Sequence, residues 1–357
     1  MDVGTQHFFP SYGWDDITDG QVYADEIQLA LMAEDLGFDV VWAVEHHFED
    51  YSFCPDNTQL LSYIAAKTSR IDVGTAAVIM PWNEPMRVAE KVALLDELSG
   101  GRVRFGMGRG LSRHEYGRMR GIEMSESRER FDEGAVMVVD ALETGTIKGD
   151  GPFYPQEPAP IRPAPARSFA DRTYAVASSD DSIESCARLG AAMVMFADRS
   201  WSSRLPSIER WRDLHRGYHG TAPPSPLVCD FIYCHEDAAV AAERAEHHLA
   251  VYLASVLSHY EIMGDHFADL RGYDAYAAAS GALNRMGESG FLAGFLKATA
   301  YGTPEQIIDK LAERRGLIGD FEFAPAFRFG GIPQDQAVAS MELFAAEVLP
   351  TLKSWGE

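Results

Sequence analysis

The sequence predicts an α/β fold, a (β/α)8 TIM barrel with insertions, and three observations carry that prediction. Apolar runs and helical stripes alternate three times at even spacing over the first 110 or so residues, which is how a parallel sheet reads in sequence. The apolar runs lack a period of two, so their strands are buried on both faces. One of them, Val40 to Val44, ends abruptly in Glu45, His46 and His47. Polar groups at a strand's C-terminal end line the catalytic mouth of such a barrel.

Val3 to Pro10 is a first strand interrupted by polar Thr5, Gln6 and His7, and Tyr23, Ile27, Ala30 and Leu31 then form a helix stripe that Gly37 stops. After the 40–44 strand, Asp56-Asn57-Thr58 caps a helix through Lys67, and Ile71 to Pro81 reads as a third buried strand. Pro85 opens the next helix, Ser99-Gly100-Gly101 ends it, and Val103 to Gly108 is the fourth strand. Gly110 to Glu126 is a polar loop over the mouth, followed by a helix from Ser127 to about Leu142. The Pro- and Gly-rich stretch 145–170 is an excursion. Strands at Thr173–Ala177, Ala191–Ala197 and Pro226–Tyr233 then alternate with helices at Asp181–Leu189, Trp201–Tyr218 and Glu236–Leu257. The weakly periodic segment near 258–300 is expected to be a mobile flap. Thr303-Pro304-Glu305-Gln306 is a capping box, Phe321 to Ala324 the last strand, and Ala337, Met341, Phe344 and Val348 a closing helix. Residues 1–357 are thus expected to form one barrel domain rather than two ordinary domains.

A formal charge of -23 argues against nucleic acid and anionic membranes as partners, since both demand a basic face. No apolar run approaches a membrane span and the N-terminus lacks a basic-then-apolar leader, so a soluble, cytoplasmic protein is expected. Cys54, Cys186, Cys229 and Cys234 show neither CxxC spacing nor a zinc pattern and read as reduced thiols.

His46 and His47 point to opposite faces of an extended chain, so at most one of them enters a site from the strand end; the alternative reading is that one packs and the other is solvated. A histidine there can move protons near neutral pH. No HExxH or comparable metal spacing accompanies the pair. Phe105 to Gly110 is glycine-rich and follows a strand, but it is not a dinucleotide fingerprint. Its glycines allow a planar ligand or phosphate close to the backbone, and Arg109 offers a donor fork for phosphate. Ser178, Ser179 and Ser182 lie between a strand and a helix, where amides and hydroxyls gather around an anion or simply cap the helix. Asp180 and Asp181 would repel a phosphate unless they point away.

Gly37-Phe38-Asp39 with Glu45-His46-His47-Phe48, Val73-Gly74-Thr75-Ala76-Ala77, Arg104-Phe105-Gly106 with Arg109-Gly110-Leu111, Glu126-Ser127-Arg128 and Gly302-Thr303-Pro304-Glu305 occur in this order. Together they resemble the bacterial luciferase-like flavin-dependent monooxygenases, and most closely the luciferase alpha subunit. The resemblance implies the same barrel, with FMN used as FMNH2 that a separate flavin reductase supplies. It also implies that O2 adds at flavin C4a to give a peroxyflavin, which oxygenates a small organic substrate such as an aldehyde, ketone or aromatic compound. His46 matches the catalytic histidine, Glu115 an acidic residue near the flavin, and Ala76-Ala77 a non-proline cis peptide beneath its ring. Arg109, Ser179 and Ser182 match phosphate-binding positions. Glu45 is grouped with the catalytic set and expected to hold loops or histidines in place.

Gly108 stands where luciferase has a reactive cysteine, Ser178 where it has a glutamate, and Ala197 where it has a large aromatic. These departures reshape the wall of the flavin pocket, so aldehyde specificity and light emission do not carry over. A deazaflavin-dependent oxidoreductase and a non-catalytic flavin-binding partner subunit are the alternative readings. The family's pairing of barrels through helices flanking the second and third strands implies a homodimer.

Overall fold

The structure, a computed structural model, describes residues 1–268, 270 and 273–356. β1 (Thr5–His7), α1 (Asp19–Asp35), β2 (Val40–Ala43), α2 (Asn57–Lys67), β3 (Asp72–Thr75), β4 (Val78–Ile79), α3 (Pro85–Ser99) and β5 (Val103–Gly108) make the first half of the barrel. α4 (Arg113–Tyr116), α5 (Ser127–Thr144), β6 (Thr146–Gly149), β7 (Gln156–Pro160), β8 (Thr173–Val176), α6 (Asp180–Arg188), β9 (Ala192–Phe196) and α7 (Trp201–His219) follow. β10 (Leu227–Phe231), α8 (Ala238–His259), α9 (Asp274–Ala298), α10 (Pro304–Ile318), β11 (Glu322–Ala326), α11 (Gln334–Glu347) and α12 (Leu349–Ser354) complete it.

Eight strands run parallel in the order β1-β2-β3-β5-β8-β9-β10-β11. The ring closes where Gly4 N–H donates to Phe323 O at 2.7 Å and Phe323 N–H to Asp2 O at 3.0 Å. Trp42 and Tyr174 meet edge to face inside the barrel, their ring centroids 4.9 Å apart. Gly74 makes room for them, since a Cβ there would lie 2.3 Å from the Trp42 ring. Around this interior cluster, a larger apolar shell packs the strands' outer faces against the helices. At the opposite end from the mouth, Arg104 gathers the carboxylates of Asp2, Asp72 and Glu322 at 2.7–2.9 Å.

The expected caps are present: Asp56 caps α2 through Gln59 N–H, Gly100 ends α3 in the left-handed region, and Thr303 and Gln306 form the capping box of α10. Four expectations are refined. The run 71–81 is not one strand; it breaks at a cis Ala76-Ala77 bond into β3 and β4. The loop 110–126 carries α4, which Ser112 caps through Glu115 N–H. The excursion is an antiparallel hairpin of β6 and β7, whose polar, proline-rich strand lies outside the barrel and needs no apolar pattern. The segment near 258–300 holds α9, kinked at Gly287, and residues 269, 271 and 272 of it lie outside the described residues.

Candidate active site

β2 ends at Ala43, and the chain then turns so that His46 N–H donates to Cys54 O at 3.1 Å. The two imidazoles diverge, as their partners show. His46 Nδ1 lies 3.1 Å from Glu115 Oε1, and its Nε2 lies 3.5 Å from the Tyr260 hydroxyl. His47 turns the other way, its ring toward Trp82 and its Nε2 3.2 Å from Glu45 Oε1. Glu45 also accepts Ile79 N–H at 2.8 Å and Asn83 Nδ2–H at 2.9 Å. Its carboxylate therefore pins the segment after the cis bond and does not face His46.

Glu115 is fully buried on α4. Its Oε1 accepts His47 N–H at 2.7 Å besides facing His46, and its Oε2 lies 3.4 Å from His259 Nε2 at the end of α8. Burial alone would raise the carboxyl's pKa, but the imidazoles of His46 and His259 outweigh it and hold Glu115 at about 2. Burial lowers the pKa of His259, which favours a neutral ring beside the ionised carboxylate. His46, Glu115 and His259 offer ligand atoms within 4.8 Å of one another, a spacing a metal ion could use. Glu115 Oε1 is already engaged by His47 N–H and His46, so hydrogen bonding accounts for that half of the group, with His259 facing the other carboxylate oxygen.

The neighbouring strand ends are lined with small residues. A Cβ on Gly108 would lie 3.4 Å from the Ala77 Cβ and 3.1 Å from Ile79 Cδ1, so Ala76, Ala77 and Gly108 form a floor that a flat ring can approach. Arg109 is buried just beyond, with its guanidinium 3.8 Å above the ring of Tyr273 and its carbonyl accepting the Tyr116 hydroxyl. Arg128, at the start of α5, is close enough for Arg109 to help lower its pKa, after burial itself. Two buried guanidiniums in a chain of net charge -23 suit a dianionic phosphate.

Ser178, Ser179 and Ser182 do cluster, and they also cap the helix. Ser182 Oγ accepts the N–H groups of Ser178 and Ser179 at 2.9 and 2.8 Å, and Ser179 is the N-cap of α6. Asp180 and Asp181 are exposed, so water screens their charge, although Asp181 lies near enough to Arg128 to act on it electrostatically. Ser178 Oγ lies 3.0 Å from the Tyr276 hydroxyl. Tyr276 and Tyr273 lie within one aromatic group with the buried Phe267. The structure thus brings His46 to Glu115, Ala77 to Gly108, and the serines to one another, while the tyrosines bridge Arg109 to Ser178.

Sequence reasoning missed His259, Tyr51, Tyr260, Tyr273, Tyr276 and the role of Arg128. The tyrosines and His259 come from, or pack against, the weakly periodic stretch after α8, and 214 residues separate Tyr260 from His46. Arg128 carried a signal, an arginine in the first turn of a helix, shared with Arg130.

The profile of the luciferase-like monooxygenases matches residues 3–320. The alkanal monooxygenase alpha chain of Photorhabdus luminescens is 26% identical over 339 residues, covering 92% of this chain and 91% of that one. Monooxygenase RslO1 from Streptomyces bottropensis superposes with a TM-score of 0.81 at 25% identity, covering 98% of this chain and 99% of that one. Two more distant structures show the fold alone. The oxygenating constituent of 3,6-diketocamphane monooxygenase from Pseudomonas putida, in complex with FMN, has a TM-score of 0.72 at 14% identity, covering 98% of both chains. A secondary alcohol dehydrogenase dependent on coenzyme F420 has a TM-score of 0.71 at 15% identity, again covering 98% of both. The chain belongs to the luciferase-like monooxygenase family, whose members are flavin-dependent oxidoreductases acting on small molecules with O2. Among the described residues no helix is long and apolar enough to cross a membrane.

Proposed function

We propose that the chain is the oxygenase of a two-component system. It takes FMNH2 from a separate reductase and oxygenates a small organic substrate, an aldehyde, a ketone or an aromatic or polyketide-like compound. The observation that carries this reading is His46, held by Glu115 at the end of β2, beside the small-residue floor at the ends of β3 and β5. Reduced flavin, when bound, supplies the two electrons with which O2 yields one inserted oxygen atom and one water.

The chain's own residues do the rest. Ala76, Ala77 and Gly108 admit the flat ring, while Arg109, Arg128 and the hydroxyls and amides of Ser178, Ser179 and Ser182 hold the phosphate. With Nδ1 engaged by Glu115, His46 takes up or returns a proton at Nε2. Glu45 acts by fixing the segment that follows the cis bond. Two copies pair through α2 and α3, where Tyr63, Leu94 and Leu98 are half or more exposed or nearly so, a stripe of large apolar side chains facing water.

Anaerobic titration with reduced FMN and with a reduced deazaflavin tests the cofactor. Tight, preferential binding of FMNH2 is expected; preference for the deazaflavin would favour the dehydrogenase reading suggested by the shared fold. Exposure of the FMNH2-loaded protein to 18O2, with mass spectrometry over a panel of aldehydes, ketones and aromatics, tests the chemistry. Gain of one 18O atom is expected, and loss of that gain in His46→Ala. Binding without oxygen transfer to any member would leave a flavin-carrying partner subunit.

A further inference from the structure

His259 stands apart among the buried polar groups of this site. Its side chain is only 2% exposed, and neither ring nitrogen has a hydrogen-bond partner among the described residues. The ring stacks on Tyr51 with centroids 4.5 Å apart and planes 14° from parallel. A phenylalanine would make that stack without burying two polar nitrogens, which cost free energy when unmatched. The ring is turned so that Nε2 faces Glu115 Oε2 at 3.4 Å, and that oxygen is likewise buried and without a hydrogen-bond partner. Two orphaned atoms, one able to donate and one able to accept, confront each other across slightly more than a hydrogen bond's length. Hydrogen bonds of catalytic groups are often long in the ligand-free state and tighten on loading.

We propose that His259 is a positioning residue: its Nε2–H donates to Glu115 Oε2, and through that carboxylate it sets the orientation and basicity of His46. The carboxylate then bridges two imidazoles, Oε1 toward His46 Nδ1 and Oε2 toward His259 Nε2. The inference rests on the proposed role of His46 and adds to it a residue that acts only through Glu115. The physical consequence has a definite sign. A donor to Oε2 drains electron density from the carboxylate and weakens its hold on a protonated His46. Removing the donor makes Glu115 the stronger partner, so His46 keeps its proton to higher pH. The other groups around the pair are the Tyr51 and Tyr260 hydroxyls, both kept protonated by burial, with Glu49 and His47 on the loop after β2. Tyr51 and Tyr260 both pack against the His259 ring, and a phenylalanine at 259 keeps an aromatic ring in contact with them.

The test is the titration of the His46 ring in the flavin-free protein, followed by NMR with labelled histidine and assigned with His46→Gln. His259→Phe keeps the stack on Tyr51 and removes the donor, and it should raise the His46 midpoint by about half a unit or more. His259→Gln places an amide N–H near the former Nε2 and should return the midpoint toward wild type. His259→Asn, whose amide reaches only the Nδ1 position, should behave like His259→Phe and serves if the phenylalanine variant fails to fold. Melting curves establish that each variant is folded. A His46 midpoint unchanged in both His259→Phe and His259→Asn, or moved equally in all three variants, would overturn the proposal. No flavin is present, so a failed oxygenase reading and a failed role for His259 are separately visible.

Discussion

The guanidinium of Arg109 lies 3.8 Å above the ring of Tyr273, which donates its hydroxyl to Gly110 O at 3.3 Å. A guanidinium stacked face-on keeps its edge donors in the plane where a phosphate would dock, so the tyrosine is a platform that pre-orients the cation. Such a contact contributes about 1 kcal/mol. Tyr273→Ala is therefore expected to weaken binding of reduced FMN by roughly 3- to 10-fold, and Tyr273→Phe much less. Reduced riboflavin, which lacks the phosphate, should bind both variants as it binds wild type. Anaerobic fluorescence titration with the two flavins reads the difference.

Glu115 predicts a second outcome. Glu115→Gln keeps the shape but presents an amide to His46 Nδ1 and His47 N–H, favouring the wrong tautomer of His46. Oxygen transfer should fall by about 10²-fold or more, with flavin binding little changed. The carboxyl's pKa is depressed to about 2 in the fold against an ordinary value near 4.5. The stability it contributes is present above about pH 4.5 and is lost as pH falls toward 2, so its ionisation is not what limits activity between pH 5 and 8. An acid limb in that range that survives in Glu115→Gln belongs to another group.

How far the sequence revealed the site follows from where each residue draws its signal. Val40 to Ala43 is apolar on both faces because the barrel encloses it, so β2 and the polar residues after it stood out. Asp56, Gly100 and Thr303 announced helix ends through local backbone chemistry that tertiary context left intact. His259 was silent because a histidine ending a long helix reads as a favourable C-terminal charge, and only the packing of α8 beside α4 brings it to Glu115. The break at Ala76-Ala77 was legible only through family resemblance, since an unbroken apolar run hides it. Tyr273 and Tyr276 lie where periodicity is weak, so neither helix face nor site could be assigned to them.

Exposed apolar side chains on α2 and α3 make the pairing of two copies testable. Leu94 is 47% and Leu98 61% exposed on one helix, and Tyr63 is 50% exposed on its neighbour. Leu94→Glu with Leu98→Glu should leave the fold intact and convert the protein from dimer to monomer in light scattering coupled to gel filtration. A wild-type protein that is already monomeric at micromolar concentration would refute the interface.

Asp230 on β10 and Arg314 on α10 form an ion pair with 2.6 Å between Oδ2 and Nη2, both side chains nearly inaccessible. Burial raises the Asp230 pKa and Arg314 counters it. Arg314→Met leaves a buried carboxylate without its cation and should destabilise the fold by about 3–5 kcal/mol. The double variant Asp230→Leu with Arg314→Met should recover most of that loss, because no desolvated charge remains. Urea denaturation of the four proteins closes the cycle.

Glu34, on α1, links that helix to the entrance of β3. Its carboxylate accepts the N–H groups of Ser69, Arg70 and Ile71 at 2.9, 2.6 and 2.9 Å. Burial works to raise its pKa, but these donors outweigh it and hold the group at about 2, below the ordinary 4.5. The charged form is therefore the one the fold favours. Glu34→Gln, which accepts with one neutral oxygen, should cost roughly 1–2 kcal/mol at pH 7 after allowance for solvent screening. Wild type enjoys that margin above about pH 4.5 and loses it as pH falls toward 2, so the gap between the two proteins should narrow across that window. Urea midpoints measured at pH 7, 4 and 3 give the comparison, and a gap independent of pH would mean that the contribution of Glu34 is packing rather than charge.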